Sequence, residues 1–147
     1  MAATRTAEVS WAGDLMSGNG TITKVGSAAF GLLPVSWAAR TEVPGGKTSP
    51  EELLAAAHAS CFAMALSGAL ARAGTPPTSL DVSAAVTFDK GEGGWRVTTS
   101  ALTVRGRVPG ATAESFAEAA EATKSGCPIS KALAGNVALS VEASLDA

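Results

Sequence analysis

The chain has 147 residues, of which 46% are hydrophobic and 16% are charged, and its net charge is −2. This balance is typical of a globular protein with its own core and excludes a disordered chain. There is no basic excess of the kind that nucleic acid or an anionic membrane attracts, so neither is an expected partner. The first residues contain no apolar segment of a secretory signal. Two cysteines are therefore expected in the reducing cytoplasm, where a pair is more often catalytic or metal-binding than structural.

Three short strands are predicted in the first quarter of the chain. Residues 6–12 alternate between apolar and polar side chains, and residues 21–25 return after a turn at residues 17–20. A third strand is predicted over residues 33–39. A loop is predicted from residue 40 to residue 48, because it contains Pro44-Gly45-Gly46.

A long helix beginning at Ser49 is the dominant element. Ser49 can cap it, Pro50 suits the first helical position, and Glu51 and Glu52 suit the positive end of the helix dipole. The nineteen residues 53–71 contain no Asp, Glu, Lys or Arg. Because this segment is apolar nearly all round, we expect other elements to surround it as a central buried helix. Eight of the nineteen residues are alanine, so a membrane span is not favoured.

The second half predicts two strands, two helical pieces and a last strand. The strands cover residues 80–89 and 95–108, with a bulge expected where the apolar parity shifts between Ala101 and Leu102. A helix over residues 112–124 and a short helical piece from Cys127 precede a strand over residues 137–145. The order βββ-α-ββ-αα-β predicts an α+β fold with a mostly antiparallel sheet on helices, as a single domain over residues 1–147.

The two cysteines allow several kinds of chemistry. Cys61 lies in the middle of the long helix, where it is either a small core residue or a nucleophile. As a nucleophile it needs a nearby cation to lower its pKa, and His58 and the loop arginines are candidates. Cys127 lies before a proline at a predicted junction, which suits either a resolving thiol or a metal ligand. One histidine and two cysteines are too few for a structural zinc site, so no metal and no other cofactor is expected.

The sequence resembles the OsmC/Ohr family, the osmotically inducible and organic hydroperoxide resistance proteins, and is more similar to the OsmC branch. The resemblance covers nearly the whole chain. It is carried by five motifs: Trp11-Ala12-Gly13-Asp14, Gly18-Asn19-Gly20-Thr21, Ser49-Pro50-Glu51-Glu52-Leu53, Ala57-His58-Ala59-Ser60-Cys61-Phe62 and Gly126-Cys127-Pro128-Ile129-Ser130.

This resemblance implies an antioxidant enzyme, a thiol peroxidase that reduces organic hydroperoxides in the response to oxidative stress. Cys61 matches the family's peroxidatic cysteine and Cys127 its resolving cysteine, with a redox-active disulfide between them. Glu51 matches the active-site glutamate, and Arg40 is the best match for the arginine that activates the thiolate. The reductant is expected to be a thiol or a dihydrolipoyl-type dithiol.

The resemblance also implies an intertwined homodimer with active sites at the interface. The sequence is consistent with this, because Glu51 and Cys61 are ten residues apart and differ by roughly 15 Å in height along one straight helix. They cannot meet within one chain, whereas the same helix of a partner could bring them together.

Two other interpretations of the sequence remain open. The first is a non-catalytic relative that binds a hydrophobic ligand or a protein partner on the same fold. The second is a structural dimer whose buried thiols are inert. The role of His58 is open between a structural residue and a proton shuttle.

Overall fold

The structure is a computed structural model that describes residues 1–146 of the chain. Over these residues the elements follow in this order: β1 Ala7–Ala12, β2 Asn19–Val25, β3 Leu33–Val35, α1 Trp37–Thr41, α2 Pro50–Arg72, β4 Ser79–Gly91, β5 Gly94–Arg107, α3 Ala113–Gly126, α4 Pro128–Leu133 and β6 Ala138–Leu145. The α+β class is confirmed. The chain divides into two compact units, one covering Met1–Leu53 and the other beginning at Leu54. The predictions of a single domain and of a homodimer stay predictions.

The first unit holds an antiparallel sheet in the order β1-β2-β3. The strand predicted over residues 33–39 is wrong beyond Val35, because Ser36 starts a helix there. The Ser36 hydroxyl accepts a hydrogen bond from the Ala39 N–H at 3.2 Å, which satisfies a donor that the first helical turn leaves open. Arg40 therefore lies in the last turn of α1 and not at the start of a loop, and the element order gains a helix.

The second unit holds a sheet in the order β4-β5-β6. The pair β4–β5 is antiparallel, as expected, but β5–β6 is parallel, with α3 and α4 forming the crossover. The mostly antiparallel arrangement is thus spread over two three-stranded sheets and includes one parallel pair.

The bulge predicted between Ala101 and Leu102 is wrong, because those residues pair in regular register with β4. The register shifts instead at Thr87 and Phe88, which face Thr99 and Val97, so that Thr98 is the extra residue of β5. A bulge changes which side chains face the core. Beyond Thr98, the buried positions of β5 are Ser100, Leu102, Val104 and Gly106.

The cap of α2 was predicted correctly, whereas its burial is less complete than expected. The Ser49 hydroxyl accepts from the Glu52 N–H at 3.1 Å. In one chain α2 is buried along a single stripe, His58, Phe62, Leu66 and Leu70, and the opposite positions Ala56, Ser60 and Met64 are exposed. The three apolar members of the stripe join the core of the second unit, together with Leu102, Val104 and Phe116.

By length and composition alone α2 could cross a membrane, with a mean hydropathy of 1.7 over its most apolar window. Core helices of soluble proteins pass the same test. The buried stripe of α2 packs into the core and includes a histidine with hydrogen bonds on both ring nitrogens. These contacts favour a core helix.

Phe116 of α3 is expected to be a main source of stability for the second unit. Its ring is 1% exposed and lies over Gly106, where a Cβ would come within 2.6 Å of the ring. Phe116→Ala should lower the free energy of unfolding by about 3–5 kcal/mol, because it loses buried surface and leaves a cavity. Denaturant unfolding at fixed protein concentration measures this, with Phe30→Ala as the control, since Phe30 is 42% exposed. Equal losses in both variants would contradict the expectation.

Candidate active site

Arg40 and Glu51 form a bidentate ion pair in the first unit. Arg40 Nη2 donates to Glu51 Oε1 at 2.8 Å, and Arg40 Nε donates to Oε2 at 3.0 Å. Ser36 and Ser49 place the two residues by starting the helices that carry them. The Glu51 side chain is 8% exposed and that of Arg40 is 30% exposed, so the pair is largely shielded from water. A two-pronged pair of this kind fixes the plane of the guanidinium as well as its position.

A small cavity adjoins this ion pair. Its volume is about 180 Å³, and its lining is mainly apolar apart from Arg40 and Ser36: Trp11, Leu15, Val35, Ser36, Trp37, Arg40 and Pro50. The Arg40 guanidinium lies 5.8 Å from the centre of the Trp37 ring, within the range of a cation–π contact. The cavity therefore combines an apolar wall with a fixed cation.

Cys61 lies half-buried on α2 in the second unit, beside Cys127. Burial raises the pKa of the Cys61 thiol, the Ile129 backbone N–H lowers this pKa by donating to the sulfur, and the neighbouring Cys127 thiol raises it. The two thiols are close neighbours and both are reduced. Among the described residues of the second unit, none of the groups that shift this pKa is a cation.

Cys127 joins α3 directly to α4. It was predicted at a loop-to-helix junction, but it follows Gly126, the last residue of α3, and caps the start of α4. Its sulfur accepts from the Ser130 N–H at 3.4 Å and lies 3.0 Å from the Ser130 hydroxyl. The residue is 1% exposed, so its thiol is withdrawn from solvent in this chain.

His58 is fully buried and both of its ring nitrogens have partners. Nδ1 lies 2.6 Å from the Ser100 hydroxyl of β5, and Nε2 lies 2.8 Å from the Ser130 hydroxyl of α4. Burial lowers the pKa of His58, because the charged imidazolium loses its hydration. Since the ordinary value is about 6.5, this histidine is neutral at neutral pH.

The four predicted site residues form two pairs, Arg40 with Glu51 in the first unit and Cys61 with Cys127 in the second. The roles assigned to them stay predictions. Sequence reasoning missed Ser100, Ser130 and the Ile129 N–H. The position of Ser130 three residues after Cys127 was a usable signal, because an N-terminal helix residue often bonds its cap. No local sequence signal identifies Ser100, because its side chain faces the core only as a result of the bulge at Thr98.

Across residues 1–146 no group of three or more His, Cys, Asp or Glu side chains is arranged to hold a metal ion.

The geometry can be compared with known proteins. A family model described as "OsmC-like protein" matches residues 43–142, more than half of the chain. Peroxiredoxin OsmC of Escherichia coli strain K12 is 41% identical over 129 residues, which cover 88% of this chain and 89% of the relative.

Solved structures give the same result for the fold. The organic hydroperoxide resistance protein OhrB of Bacillus subtilis matches with a TM-score of 0.73 at 25% identity, covering 95% of this chain and 98% of that one. A Legionella pneumophila structure named as an organic hydroperoxide resistance protein OsmC matches with a TM-score of 0.67 at 20% identity, covering 95% and 96%. The family match, the identity to a peroxiredoxin over most of both lengths and the shared fold agree with one another. The chain belongs to the OsmC-like family of peroxidases.

Proposed function

We propose that this protein is a cysteine-based thiol peroxidase that reduces organic hydroperoxides to alcohols. The observation that carries the proposal is the contact between the Cys61 and Cys127 thiols, which come from positions 66 residues apart in the sequence. Two reduced thiols in contact can form a disulfide without a large movement of the chain. The family membership supports the same chemistry.

In the first half of the cycle, the Cys61 thiolate attacks the terminal oxygen of the hydroperoxide. The O–O bond breaks, the terminal oxygen stays on sulfur as a sulfenic acid, and the alkoxide leaves and takes up a proton to become the alcohol. Sulfur is oxidised by two electrons and the peroxide is reduced by two. The Ile129 N–H, which donates to the Cys61 sulfur, favours the thiolate.

In the second half, Cys127 attacks the sulfenic sulfur and displaces hydroxide, which leaves as water. The resulting Cys61–Cys127 disulfide is then reduced by an external dithiol through thiol–disulfide exchange. We propose a thiol or dihydrolipoyl-type compound as this reductant and the cytoplasm as the compartment, where thiols are kept reduced.

The Arg40–Glu51 pair is proposed to activate Cys61 across a homodimer. In the second unit burial raises the pKa of Cys61 and no cation lowers it, so the thiolate needs a positive charge from elsewhere. Arg40, with its plane fixed by Glu51, is suited to supply it from the other protomer. The exposed apolar side of α2, which includes Met64 at 74% exposure, supports a second copy packing against this helix.

The cavity beside Arg40 supports an organic substrate. An apolar wall next to a fixed cation suits a peroxide with an apolar group on one side and a polar O–O group on the other. Hydrogen peroxide, which is small and fully hydrated, gains little from the apolar wall. We therefore propose a preference for organic hydroperoxides.

The alternative is a binding protein on the same fold, and the raised pKa of Cys61 is the observation that favours it. A thiol kept neutral is a poor nucleophile. Titration of the assembled protein separates the two functions: a Cys61 pKa of about 8.5 or above supports the binding protein, and a lower one supports the peroxidase.

The disulfide itself tests the proposed function. One equivalent of cumene hydroperoxide should remove two hydrogen atoms from the mass of the reduced protein, and peptide mapping should recover Cys61 joined to Cys127. The Cys127→Ser variant is the matched control, because it can gain an oxygen atom on Cys61 but cannot form the bridge. If both thiols of the wild-type protein still react with an alkylating reagent after the peroxide treatment, the proposal is contradicted.

A further inference from the structure

The proposed cycle gives no role to His58, although this residue is connected to one of its two thiols. The connection runs from the imidazole through one serine hydroxyl to Cys127: Nε2 lies 2.8 Å from Ser130 Oγ, and Ser130 Oγ lies 3.0 Å from Cys127 Sγ. His58 and Ser130 are fully buried, and Cys127 is 1% exposed. The geometry points to a proton relay: we propose that His58, through Ser130, accepts the proton of Cys127 when this thiol attacks oxidised Cys61. This inference rests on the proposed peroxidase function.

The need for an acceptor follows from the burial of Cys127. The attacking species in disulfide formation is the thiolate, so the thiol must lose its proton during the step. In a buried site the proton has to pass to a protein group. A serine hydroxyl can pass a proton on but cannot hold one, and Cys61 is the reaction partner. In the hydrogen-bonded chain seen over the described residues, the imidazole of His58 is the group that can hold a proton near neutral pH.

The surroundings of His58 keep it ready to accept. Burial lowers its pKa, so the ring is neutral before the step. Its hydrogen-bond partners are the uncharged hydroxyls of Ser100 from β5 and Ser130 from α4. The titratable groups nearest along this chain are the two thiols, Cys127 through Ser130 and Cys61 beside Cys127. No charged partner is bound to the ring among the described residues, so nothing there competes for its proton.

The hydrogen bonds can be ordered in one consistent direction. The Cys127 S–H donates to Ser130 Oγ, the Ser130 O–H donates to His58 Nε2, and the His58 Nδ1–H donates to Ser100 Oγ. During attack each of the first two protons moves one place along this line. Cys127 becomes a thiolate and forms the S–S bond, His58 becomes an imidazolium, and hydroxide leaves Cys61. The imidazolium then gives this proton, through Ser130, to the hydroxide, so that the step yields one disulfide and one water.

A purely structural His58 would also be buried and bonded, so the test must separate the two roles. In the relay, a variant without the imidazole must wait for Cys127 to ionise by itself. Disulfide formation in that variant should therefore become faster as the pH rises, because a more alkaline solution favours loss of the thiol proton. A structural defect that misplaces Cys127 lowers the rate by a similar factor at every pH.

The experiment is a single turnover. Reduced protein is mixed with one equivalent of cumene hydroperoxide, quenched at intervals, and analysed by mass spectrometry for the sulfenic acid of Cys61 and for the Cys61–Cys127 disulfide. The variants are His58→Gln, which keeps polar atoms beside both serines, and Ser130→Ala, which breaks the relay with a small change. Ser83→Ala is the control, because Ser83 lies exposed on β4 and takes no part in the relay.

We expect both variants to form the sulfenic acid within twofold of the wild-type rate. Disulfide formation at neutral pH should be slowed about a hundredfold, the usual effect of losing a general base. At about two pH units higher, most of this loss should be recovered, because an alkaline solution favours loss of the thiol proton without the imidazole. The Ser83→Ala variant should match wild type in both steps.

Three results would overturn the relay. They are disulfide rates within twofold of wild type in both variants, a loss of the same size at both pH values, and an equal slowing of sulfenic acid formation. If wild type itself forms no disulfide, the proposed function fails and the relay fails with it. A normal wild-type disulfide with unaffected variants removes the relay alone.

Discussion

Cys61→Ser should abolish the consumption of cumene hydroperoxide in the presence of a dithiol. A serine hydroxyl does not ionise near neutral pH and does not attack peroxide oxygen as a thiolate does. Loss of an enzyme's nucleophile typically costs at least about a thousandfold in turnover. The measurement is steady-state peroxide consumption, with the fold checked by circular dichroism. Cys61 is half-buried and serine is close to it in size, so the variant should remain folded.

Cys127→Ser is the matched comparison for that variant. It keeps the proposed nucleophile, so it should consume one equivalent of peroxide rapidly and then recycle poorly. The species left behind is the Cys61 sulfenic acid, which a sulfenate-selective reagent traps. Undiminished turnover in Cys61→Ser, or equal behaviour of the two variants, would contradict the assignment of Cys61 as peroxidatic and Cys127 as resolving.

Arg40→Met should raise the pKa of Cys61 and slow peroxide consumption at neutral pH. An opposite charge at close range usually lowers a pKa by about 1–3 units, so its loss should cut the thiolate fraction about 10- to 1000-fold below the pKa. The direction of the change in the Cys61 pKa is testable. A thiol ionises as the pH rises, so the variant should regain activity at alkaline pH. The pKa is measured from the pH dependence of Cys61 alkylation. Arg5→Met is the control, since Arg5 is exposed near the N-terminus.

Mixed dimers test whether Arg40 acts across the interface. The Cys61→Ser and Arg40→Met variants are each expected to be nearly inactive. When the two are co-expressed, about a quarter of wild-type activity should return, because half of the dimers are mixed and one of their two sites is intact. No recovery in verified mixed dimers would mean that Arg40 does not serve the other protomer's Cys61.

The sequence was most informative where a structural signal is local. The start of α2 follows from Ser49 and Pro50, whose hydroxyl and fixed φ act within one turn. Alternating apolar side chains located most of the strands to within a few residues, since side-chain direction along a strand has a period of two. The motifs around Cys61 and Cys127 were likewise sufficient for the family, which the comparisons confirm.

The sequence-based predictions were wrong where a local pattern is compatible with two different structures. Residues 33–39 were predicted as one strand, but Ser36 can cap a helix and does so, which places Arg40 on α1. The apolar parity of β5 shifts once, and composition alone put the shift at Ala101 when the strand pairing has it at Thr98. Pairing is decided by the neighbouring strand, which a window of one strand does not contain.

From its sequence alone, this chain could be assigned an α+β fold, the OsmC-like family and two candidate thiols, because capping, periodicity and motif spacing act over a few residues. The tertiary structure decided what surrounds those thiols. It joined Arg40 to Glu51 in a two-pronged pair, and it brought His58 to Ser100 and Ser130, which lie 42 and 72 residues away in the sequence. Contacts over such separations depend on how whole elements pack, and no local pattern of residues encodes them.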